Sequence, residues 1–232
     1  MRIAIMQPYF LPYIGYWQLI SAVDVFVIYD NIKYTKKGWI NRNRYLQNGR
    51  DTLFSLPLKK ASDSLNVVDR ELAADFSADK LLKQLCGAYA HAPCIKEVTP
   101  LLERLLRFED LNLFHYIHHS IVCLCHHLGI ETKIVLSSQV PIDHGLKAQE
   151  KVLAMCQALG AQSYVNPIGG VELYSKEAFK NLGVYLHFIK SRPFYYTQFG
   201  AEFVPWLSIL DVLMFNPLEA VNSVVSNEYD LV

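Results

Sequence analysis

Several apolar runs in this 232-residue sequence end in a polar side chain that could take part in catalysis or binding. These side chains are Gln7, Asp30, Ser137 with Ser138, and Asn166. The carboxyl ends of parallel strands meet at one edge of a sheet, which is where open α/β sheets bind their ligands. The pattern predicts a site at that edge, with Gln7 and Asp30 as catalytic residues and Ser137 and Asn166 as binding residues. Ordinary polar loops after each strand are the alternative.

A Trp-Ile-Asn-Arg-Asn segment at 39–43 concentrates groups suited to an anionic ligand that carries a ring. Arg42 matches a carboxylate or phosphate through two parallel hydrogen bonds, and Trp39 offers a surface for stacking. On an extended strand, Trp39, Asn41 and Asn43 would share one face. With Lys33 close by, the segment predicts a nucleotide-binding surface at the root of a hairpin whose turn is Asn48-Gly49. A solvated basic hairpin is the alternative.

The second half of the chain adds two stretches that could contact a ligand. Gly169 and Gly170 follow Asn166 closely, and glycines let main-chain amides approach a ligand, with Tyr174 nearby. Ser208 and Asp211 lie one turn apart in an otherwise apolar segment. A carboxylate there is either a catalytic group or a buried structural acceptor.

A histidine-rich stretch at 111–128 has the only spacing that suggests a metal. His115 and His119 are four residues apart, as in zinc-binding helices. The segment contains no acidic residue, and no cysteine has a ligand-like spacing to this pair. We therefore predict surface histidines and no metal site.

The predicted elements that position these residues alternate between strands and helices. Residues 1–30 predict strand, loop, helix and strand, a unit that places two parallel strands in one sheet. Further strands are predicted near 132, 163 and 184. Three helices at 77–128 indicate an insertion, and two more are predicted within 203–225. The predicted fold class is α/β, with a parallel-sheet core, a helical insertion and a C-terminal helical segment.

Composition argues against several classes of protein. Lys plus Arg and Asp plus Glu number 22 each, so the charge balance gives no sign of the basic surface that nucleic acids need. No apolar run reaches the ~18–20 residues that span a bilayer, and we recognise no signal peptide. The five cysteines form no C-x-x-C pair. We expect a cytoplasmic protein with reduced thiols and no membrane partner.

The start of the first predicted helix is similar to that of the nucleotidylyltransferase superfamily, which includes pantothenate synthetase. In that HUP-like fold a strand and loop lead to an H-x-G-H motif, whose imidazoles and helix N-terminus stabilise phosphate charge. The corresponding residues here are Tyr13-Ile14-Gly15-Tyr16. Phenols replace both imidazoles, so the architecture resembles that superfamily while the catalytic residues differ.

Motifs along nearly the whole chain resemble the WbqC-like protein family. They are I-A-I-M-Q-P-Y-F-L-P-Y-I-G-Y-W near the start, D-x-F-V-x-Y-D at 24–30, W-x-N-R-N at 39–43, Y-V-N-P-x-G-G at 164–170 and F-V-P-x-L-S-I-L-D at 203–211. The resemblance implies one WbqC-like domain over 1–232, with its α/β core at 1–58 and 130–190. It also implies a role in surface-polysaccharide (O-antigen) biosynthesis, where glycine transfer to amino sugars has been proposed for the family.

The family's motif residues map onto a defined set of positions in this chain. They are Gln7, Pro8, Pro12, Gly15, Tyr16, Asp30, Trp39, Asn41, Arg42, Asn43, Asn166, Gly169, Gly170, Tyr174, Pro205, Ser208 and Asp211. Of these, Gln7, Tyr16, Asp30 and Asp211 are the candidate catalytic residues. The candidate binding residues are Pro12, Gly15, Lys33, Trp39, Asn41, Arg42, Asn43, Ser137, Asn166, Gly169, Gly170, Tyr174 and Ser208.

Together the two resemblances imply that ATP, with Mg²⁺, activates the carboxylate of a small amino acid for transfer to the amine of a nucleotide-linked sugar. Tyr16 and the helix head would hold phosphate, Arg42 an anionic group, and Trp39 a ring. Asp30 or Asp211 would hold the amine or act as base, which at neutral pH requires a raised pKa. Two alternatives are an aminoacyl group taken from a charged tRNA and a non-catalytic protein that binds sugar nucleotides.

Overall fold

The computed structural model describes residues 1–200 and 202–232 and confirms the predicted N-terminal unit. Strand β1 (Arg2–Met6) leads through a loop to helix α1 (Ile14–Ser21) and then to strand β2 (Val25–Ile28). The two strands pair in parallel, with Ile3 opposite Val25. Both strands are almost entirely apolar because both faces of the sheet are covered, as is usual for parallel sheets.

The central sheet is mostly parallel, which confirms the α/β class. Four later strands join β1 and β2: β5 (Lys133–Leu136), β6 (Ser163–Pro167), β7 (Tyr185–Ser191) and β8 (Tyr229–Leu231). The order across the sheet is β5-β2-β1-β6-β7-β8, and only β8 runs antiparallel to its neighbour. The order reverses direction between β1 and β6. Strand β8 lies beyond the last predicted element.

The predicted hairpin is present as strands β3 (Arg42–Gln47) and β4 (Arg50–Ser55). Asn48 and Gly49 have φ values of 52° and 74°, as a two-residue turn with both central residues left-handed requires. Strand β3 begins only at Arg42, and residues 36–41 before it form turns and bends. The prediction that Trp39, Asn41 and Asn43 share one strand face is therefore wrong.

Three helices form the predicted insertion: α2 (Ala78–Ala88), α3 (Ile95–Leu106) and α4 (Leu113–His127). Helices α5 (Ala148–Ala158) and α6 (Lys176–Asn181) connect the later parallel strands. The C-terminal helices are α7 (Ile209–Phe215) and α8 (Leu218–Asn227). Helix α7 begins later than the predicted residue 203, because Ser208 caps it and Trp206 has a left-handed φ of 61°.

Alternate residues of the first two strands pack into different cores. Ala4 and Phe26 face a large cluster formed with α1, the hairpin and the helical insertion. Ile3 and Val27 face a second cluster formed with α5 and α6. None of the helices in the described ranges combines the length and apolar composition that crossing a bilayer requires.

Candidate functional site

A cavity of about 830 Å³ lies at the carboxyl ends of β1 and β6. Gln7 lines it directly after β1, and Asn166 lines it at the end of β6, followed by Gly169 and Gly170. These two strands are neighbours at the point where the strand order reverses, with β2 beyond one and β7 beyond the other. Ligands of open α/β sheets bind at such a reversal. The predicted edge therefore holds a cavity of the size of a small-molecule site.

The side chains around this cavity carry positive charge, and we call it the cationic cavity. Lys33 lines it from the segment after β2, Lys147 and Lys151 line it around the start of α5, and His144 lies beside them. None of the described lining residues is Asp or Glu. Ala148, the first residue of α5, also lines the cavity, and the N-terminus of a helix favours anions. This lining favours an anionic ligand.

Lys151 is held in position by contacts on two sides. Its Nζ donates a hydrogen bond to Oδ1 of Asn31 over 3.3 Å and lies 5.4 Å from the centroid of the Tyr29 ring. Burial lowers the pKa of Lys151, and the neighbouring Asp30 carboxylate opposes that shift. These two contacts position the amino group at the wall of the cationic cavity.

Hydrogen bonds at both ends of its amide hold Asn166 in place at the cationic cavity. Its Oδ1 accepts a hydrogen bond from the Tyr164 hydroxyl over 3.1 Å, and its Nδ2 donates to the Pro167 carbonyl over 3.1 Å. A Cβ on Gly170 would lie only 2.1 Å from that Nδ2. Gly170 is therefore required for the amide to occupy its position, whereas a Cβ on Gly169 would meet nothing within 4 Å.

A second cavity of about 300 Å³ adjoins the first, and Tyr9 lines both. We call it the aromatic cavity, because four of its lining residues are aromatic. The lining consists of Tyr9, Pro12, Tyr13, Trp39, Asn43, Arg44 and Trp206. Both volumes fall within the ~300–1,000 Å³ typical of sites for small molecules.

The profile of the WbqC-like protein family matches residues 7–223 of this chain. The chain belongs to the WbqC-like protein family. It is also 28% identical over 219 residues, 93% of each chain, to an uncharacterized protein of Mycobacterium tuberculosis strain H37Rv. No solved structure matches the chain.

The cationic cavity of this WbqC-like protein brings together six of the predicted site residues, contributed by both halves of the chain. They are Gln7, Lys33, Asn166, Gly169, Gly170 and Tyr174. The aromatic cavity contains three others, Pro12, Trp39 and Asn43. The remaining predicted residues lie outside the linings of both cavities.

Asp30 and Ser137 lie beside the cationic cavity and connect the ends of β2 and β5. The Ser137 hydroxyl donates to Oδ1 of Asp30 over 2.7 Å, and the Ser138 amide donates to the same oxygen over 2.9 Å. Burial alone would raise the pKa of Asp30, but hydrogen bonds from Ser138 and Ser137 outweigh it and hold the pKa below its ordinary value. A carboxylate with a lowered pKa is a weak base at neutral pH.

Tyr16 and Gly15 are buried in the first turn of α1. The Tyr16 hydroxyl donates to the Gln7 carbonyl over 2.9 Å, and burial raises the pKa of this phenol. The hydroxyl is therefore already paired and points at the backbone below the cavity, where it fixes the position of Gln7. A Cβ on Gly15 would lie 2.5 Å from the Tyr13 ring.

The polar side chains of the 41–43 segment bind the protein's own backbone. The Arg42 guanidinium donates to the carbonyls of Lys37 and Gly38 over 2.5 and 2.9 Å. Asn41 donates to the Leu56 carbonyl and Asn43 donates to the Leu11 carbonyl, each over 2.8 Å. These contacts hold the loop after β1 against the hairpin. They occupy side-chain N–H groups that we had predicted would bind a ligand.

The sequence left Asp211 as either a catalytic group or a buried structural acceptor, and in the structure its carboxylate has the contacts of a buried acceptor. The carboxylate is fully buried and accepts hydrogen bonds from Tyr89 over 2.9 Å, Tyr196 over 2.6 Å and Gln198 over 2.7 Å. Burial raises the pKa of Asp211, and these hydrogen bonds oppose the shift. Ser208 caps α7 and donates to the Leu11 carbonyl over 2.7 Å.

The two histidines with zinc-like spacing have other partners. His115 pairs with Asp110 over 2.9 Å, and His119 stacks on Phe108 with the ring centroids 4.1 Å apart. Within residues 1–200 and 202–232, no group of three or more His, Cys, Asp or Glu could hold a metal ion.

Sequence reasoning missed His144, Lys147 and Lys151, of which the two lysines supply most of the positive charge in the cationic cavity. They lie in the crossover that follows β5 and around the start of α5. The available signal was their position, because a strand-to-helix connection of a parallel sheet lies at the ligand-binding edge.

Proposed function

We propose that this chain binds the diphosphate of a nucleotide-linked amino sugar in the cationic cavity and transfers a small aminoacyl group to the sugar amine. The observation that carries the proposal is the lining: three lysines and one histidine, with no carboxylate among the described lining residues, at the point where the strand order reverses. A diphosphate carries the negative charge that such a lining attracts.

The cavity offers donors to the diphosphate from opposite walls. Lys33 lies on the wall that follows β2, and Lys147 and Lys151 lie on the wall formed by α5. The backbone around Gly169 adds an open surface, because a Cβ there would meet nothing within 4 Å. The phosphates would therefore lie between these walls, over the carboxyl ends of the strands.

Transfer would form a C–N bond between the sugar amine and the acyl carbon, while the bond to the leaving group breaks and the amine loses a proton. The Gln7 and Asn166 side chains line the same cavity and have the amide groups that bind a carbonyl or phosphate oxygen. His144 lines it as well; its Nδ1 lies 2.9 Å from Nδ2 of Asn31, so the imidazole would take the proton at Nδ1 in place of that hydrogen bond. Aminoacyl transfer would thus use the amides to orient the reactants and the imidazole to accept the proton.

Activation of the acyl group by ATP is a second candidate, and the strand order favours it. Read in chain order, the five parallel strands lie as 3-2-1-4-5, the order of nucleotide-binding α/β folds. The lysines fit the phosphates of ATP, but the described lining offers Mg²⁺ no carboxylate ligand. Mg²⁺ would then be held through the phosphates themselves. A charged tRNA as donor remains the alternative to ATP.

Titration calorimetry with UDP, dTDP and their amino-sugar derivatives tests the binding step. Lys151→Ala should weaken binding by about tenfold or more, since a hydrogen bond to a charged group contributes about 1.5–3 kcal/mol. Lys83→Ala, which removes an exposed lysine of α2, is the matched control and should leave affinity unchanged. No binding of any nucleotide by the wild-type protein, or equal binding by Lys151→Ala, would overturn the proposal.

The source of the acyl group is tested in a separate experiment. UDP-glucosamine is incubated with the protein and either glycine, ATP and Mg²⁺ or glycyl-tRNA, and the sugar nucleotide is then analysed by mass spectrometry. An added glycyl group only in the presence of ATP supports activation in this cavity. Addition only with glycyl-tRNA supports the alternative donor. Tight binding without addition under either condition would leave a binding protein and refute the transferase.

A further inference from the structure

We infer that the aromatic cavity is the subsite for the sugar ring of the nucleotide-linked substrate. This inference rests on the proposed function, because it assigns the part of the substrate next to the diphosphate. In a nucleoside diphosphate sugar the pyranose is bonded directly to the second phosphate, so its ring must lie beside the phosphate site. The aromatic cavity is in that place, since Tyr9 lines both cavities.

The exposed tryptophans of this cavity are the first argument. Trp39 is 39% exposed and Trp206 is 64% exposed, although indole rings are usually well buried. The C–H face of a pyranose is apolar and flat enough to pack on an aromatic ring, while its hydroxyls remain in water. A sugar would therefore cover exposed aromatic surface without requiring a closed pocket.

The angles between the rings favour a sugar over a nucleobase. Tyr13 and Trp206 meet edge to face, with centroids 5.8 Å apart and planes at 63°. Two such rings form a corner, which fits a thick, puckered ring. A planar base is best held between two parallel rings, whereas the planes of Tyr13 and Trp206 are far from parallel.

The backbone at Trp206 is the second argument. Its φ of 61° is left-handed, a conformation that is unfavourable for a bulky residue. Arg44 holds it there: the guanidinium donates to the Trp206 carbonyl over 3.4 Å and lies 5.3 Å from the centroid of the Trp39 ring. Arg44 thus contacts both tryptophans at the cavity, while Arg42 also lies 5.7 Å from the centroid of the Trp39 ring. Strain of the kind seen at Trp206 persists where a site requires it.

The test compares UDP with UDP-glucosamine by titration calorimetry in the wild-type protein and in Trp206→Ala and Trp39→Ala. The wild type should bind the amino sugar nucleotide more tightly than UDP. Each variant should lose about tenfold in affinity for UDP-glucosamine, within the range of an aromatic contact, and keep its affinity for UDP within about twofold. Tyr185→Ala is the control, because it removes an exposed ring at the other end of the sheet.

The possible outcomes separate this inference from the proposed function. If neither nucleotide binds the wild type, the proposed function fails and the subsite with it. If both bind but the variants lose affinity for UDP and UDP-glucosamine equally, the rings hold the base and the inference is overturned. Binding of both nucleotides with unchanged affinities in both variants overturns it as well, while the diphosphate site stands. If Trp39→Ala does not fold, Trp206→Ala decides, since that side chain is mostly exposed.

Discussion

Replacement of Gly170 by alanine should displace a wall of the cationic cavity. The new Cβ would lie 2.1 Å from Nδ2 of Asn166, well inside van der Waals contact, so the amide must move. Asn166 is 5% exposed and cannot turn into solvent without breaking its hydrogen bonds with Tyr164 and Pro167. The substitution therefore removes two hydrogen bonds of a buried amide.

The expected destabilisation follows from those two contacts. A neutral hydrogen bond contributes about 0.5–1.5 kcal/mol, and a buried polar group left unpaired costs about 1–3 kcal/mol. We expect Gly170→Ala to lower the free energy of unfolding by about 1–3 kcal/mol. In a chain of this size 1 kcal/mol shifts the melting temperature by roughly 2–4 °C, so differential scanning calorimetry should show a fall of roughly 2–12 °C.

The neighbouring glycine supplies the control. Gly169→Ala introduces the same methyl group at a position where nothing lies within 4 Å, so stability should change by no more than about 0.5 kcal/mol. A wild-type melting temperature for Gly170→Ala would refute the reasoning. So would equal destabilisation by both variants, because that would trace the effect to the backbone of the turn and not to Asn166.

Four further substitutions test residues that lie outside the linings of the cationic and aromatic cavities. Because hydrogen bonds hold the folded-state pKa of Asp30 below 3.8, this carboxylate stabilises the protein above that pH, and the contribution disappears as pH falls through the lowered value. The free energy of unfolding, measured by urea denaturation as a function of pH, should fall less steeply at acid pH in Asp30→Asn than in the wild type. An unchanged slope below about pH 4 would contradict this. Asp211→Asn should cost about 2–4 kcal/mol in urea denaturation, because it replaces one of the two accepting oxygens with an amino group that faces protein donors. Tyr196→Phe should cost only about 1.5 kcal/mol, because it removes a single donor, and equal losses would contradict a carboxylate shared by three donors. Arg42→Ala should cost about 1–2 kcal/mol but leave UDP affinity within about twofold in calorimetry, whereas a tenfold loss of affinity would place Arg42 at the ligand.

The sequence predicts the elements whose patterns are local. Strands β1 and β2 are uninterrupted apolar runs, and Asn48-Gly49 marks the hairpin turn by residue type alone. Gln7 and Asn166 could be predicted at one edge because Gln7 directly follows β1 and Asn166 lies at the carboxyl end of β6. Strand β8 could not, because its three residues show no apolar pattern. It forms by pairing with the edge of β7, aided by the Arg192–Asp230 ion pair at 2.5 Å.

Residues whose roles depend on distant partners could not be assigned from the sequence. Asp211 is a structural acceptor because Tyr89, 122 positions earlier, and Gln198, 13 positions earlier, both donate to it. Arg42 has the residue type of an anion-binding group, but its guanidinium reaches the carbonyls of the preceding turn first. Motif content indicates which residues matter to a family, whereas three-dimensional contacts separate those that line a cavity from those that hold the loops.

The two buried carboxylates restrict the chemistry that this fold can perform. Hydrogen bonds lower the pKa of Asp30, which makes it a poor base. Burial raises the pKa of Asp211, but three protein donors already use its oxygens. The cationic cavity itself therefore has cations, amides and an imidazole with which to act on a substrate. Such a set binds phosphates and stabilises a developing oxyanion. Under the proposed function, the acyl donor would arrive already activated or would be activated by the phosphoanhydride of a nucleoside triphosphate held there. His144→Ala should then reduce the rate of transfer more than it reduces nucleotide affinity.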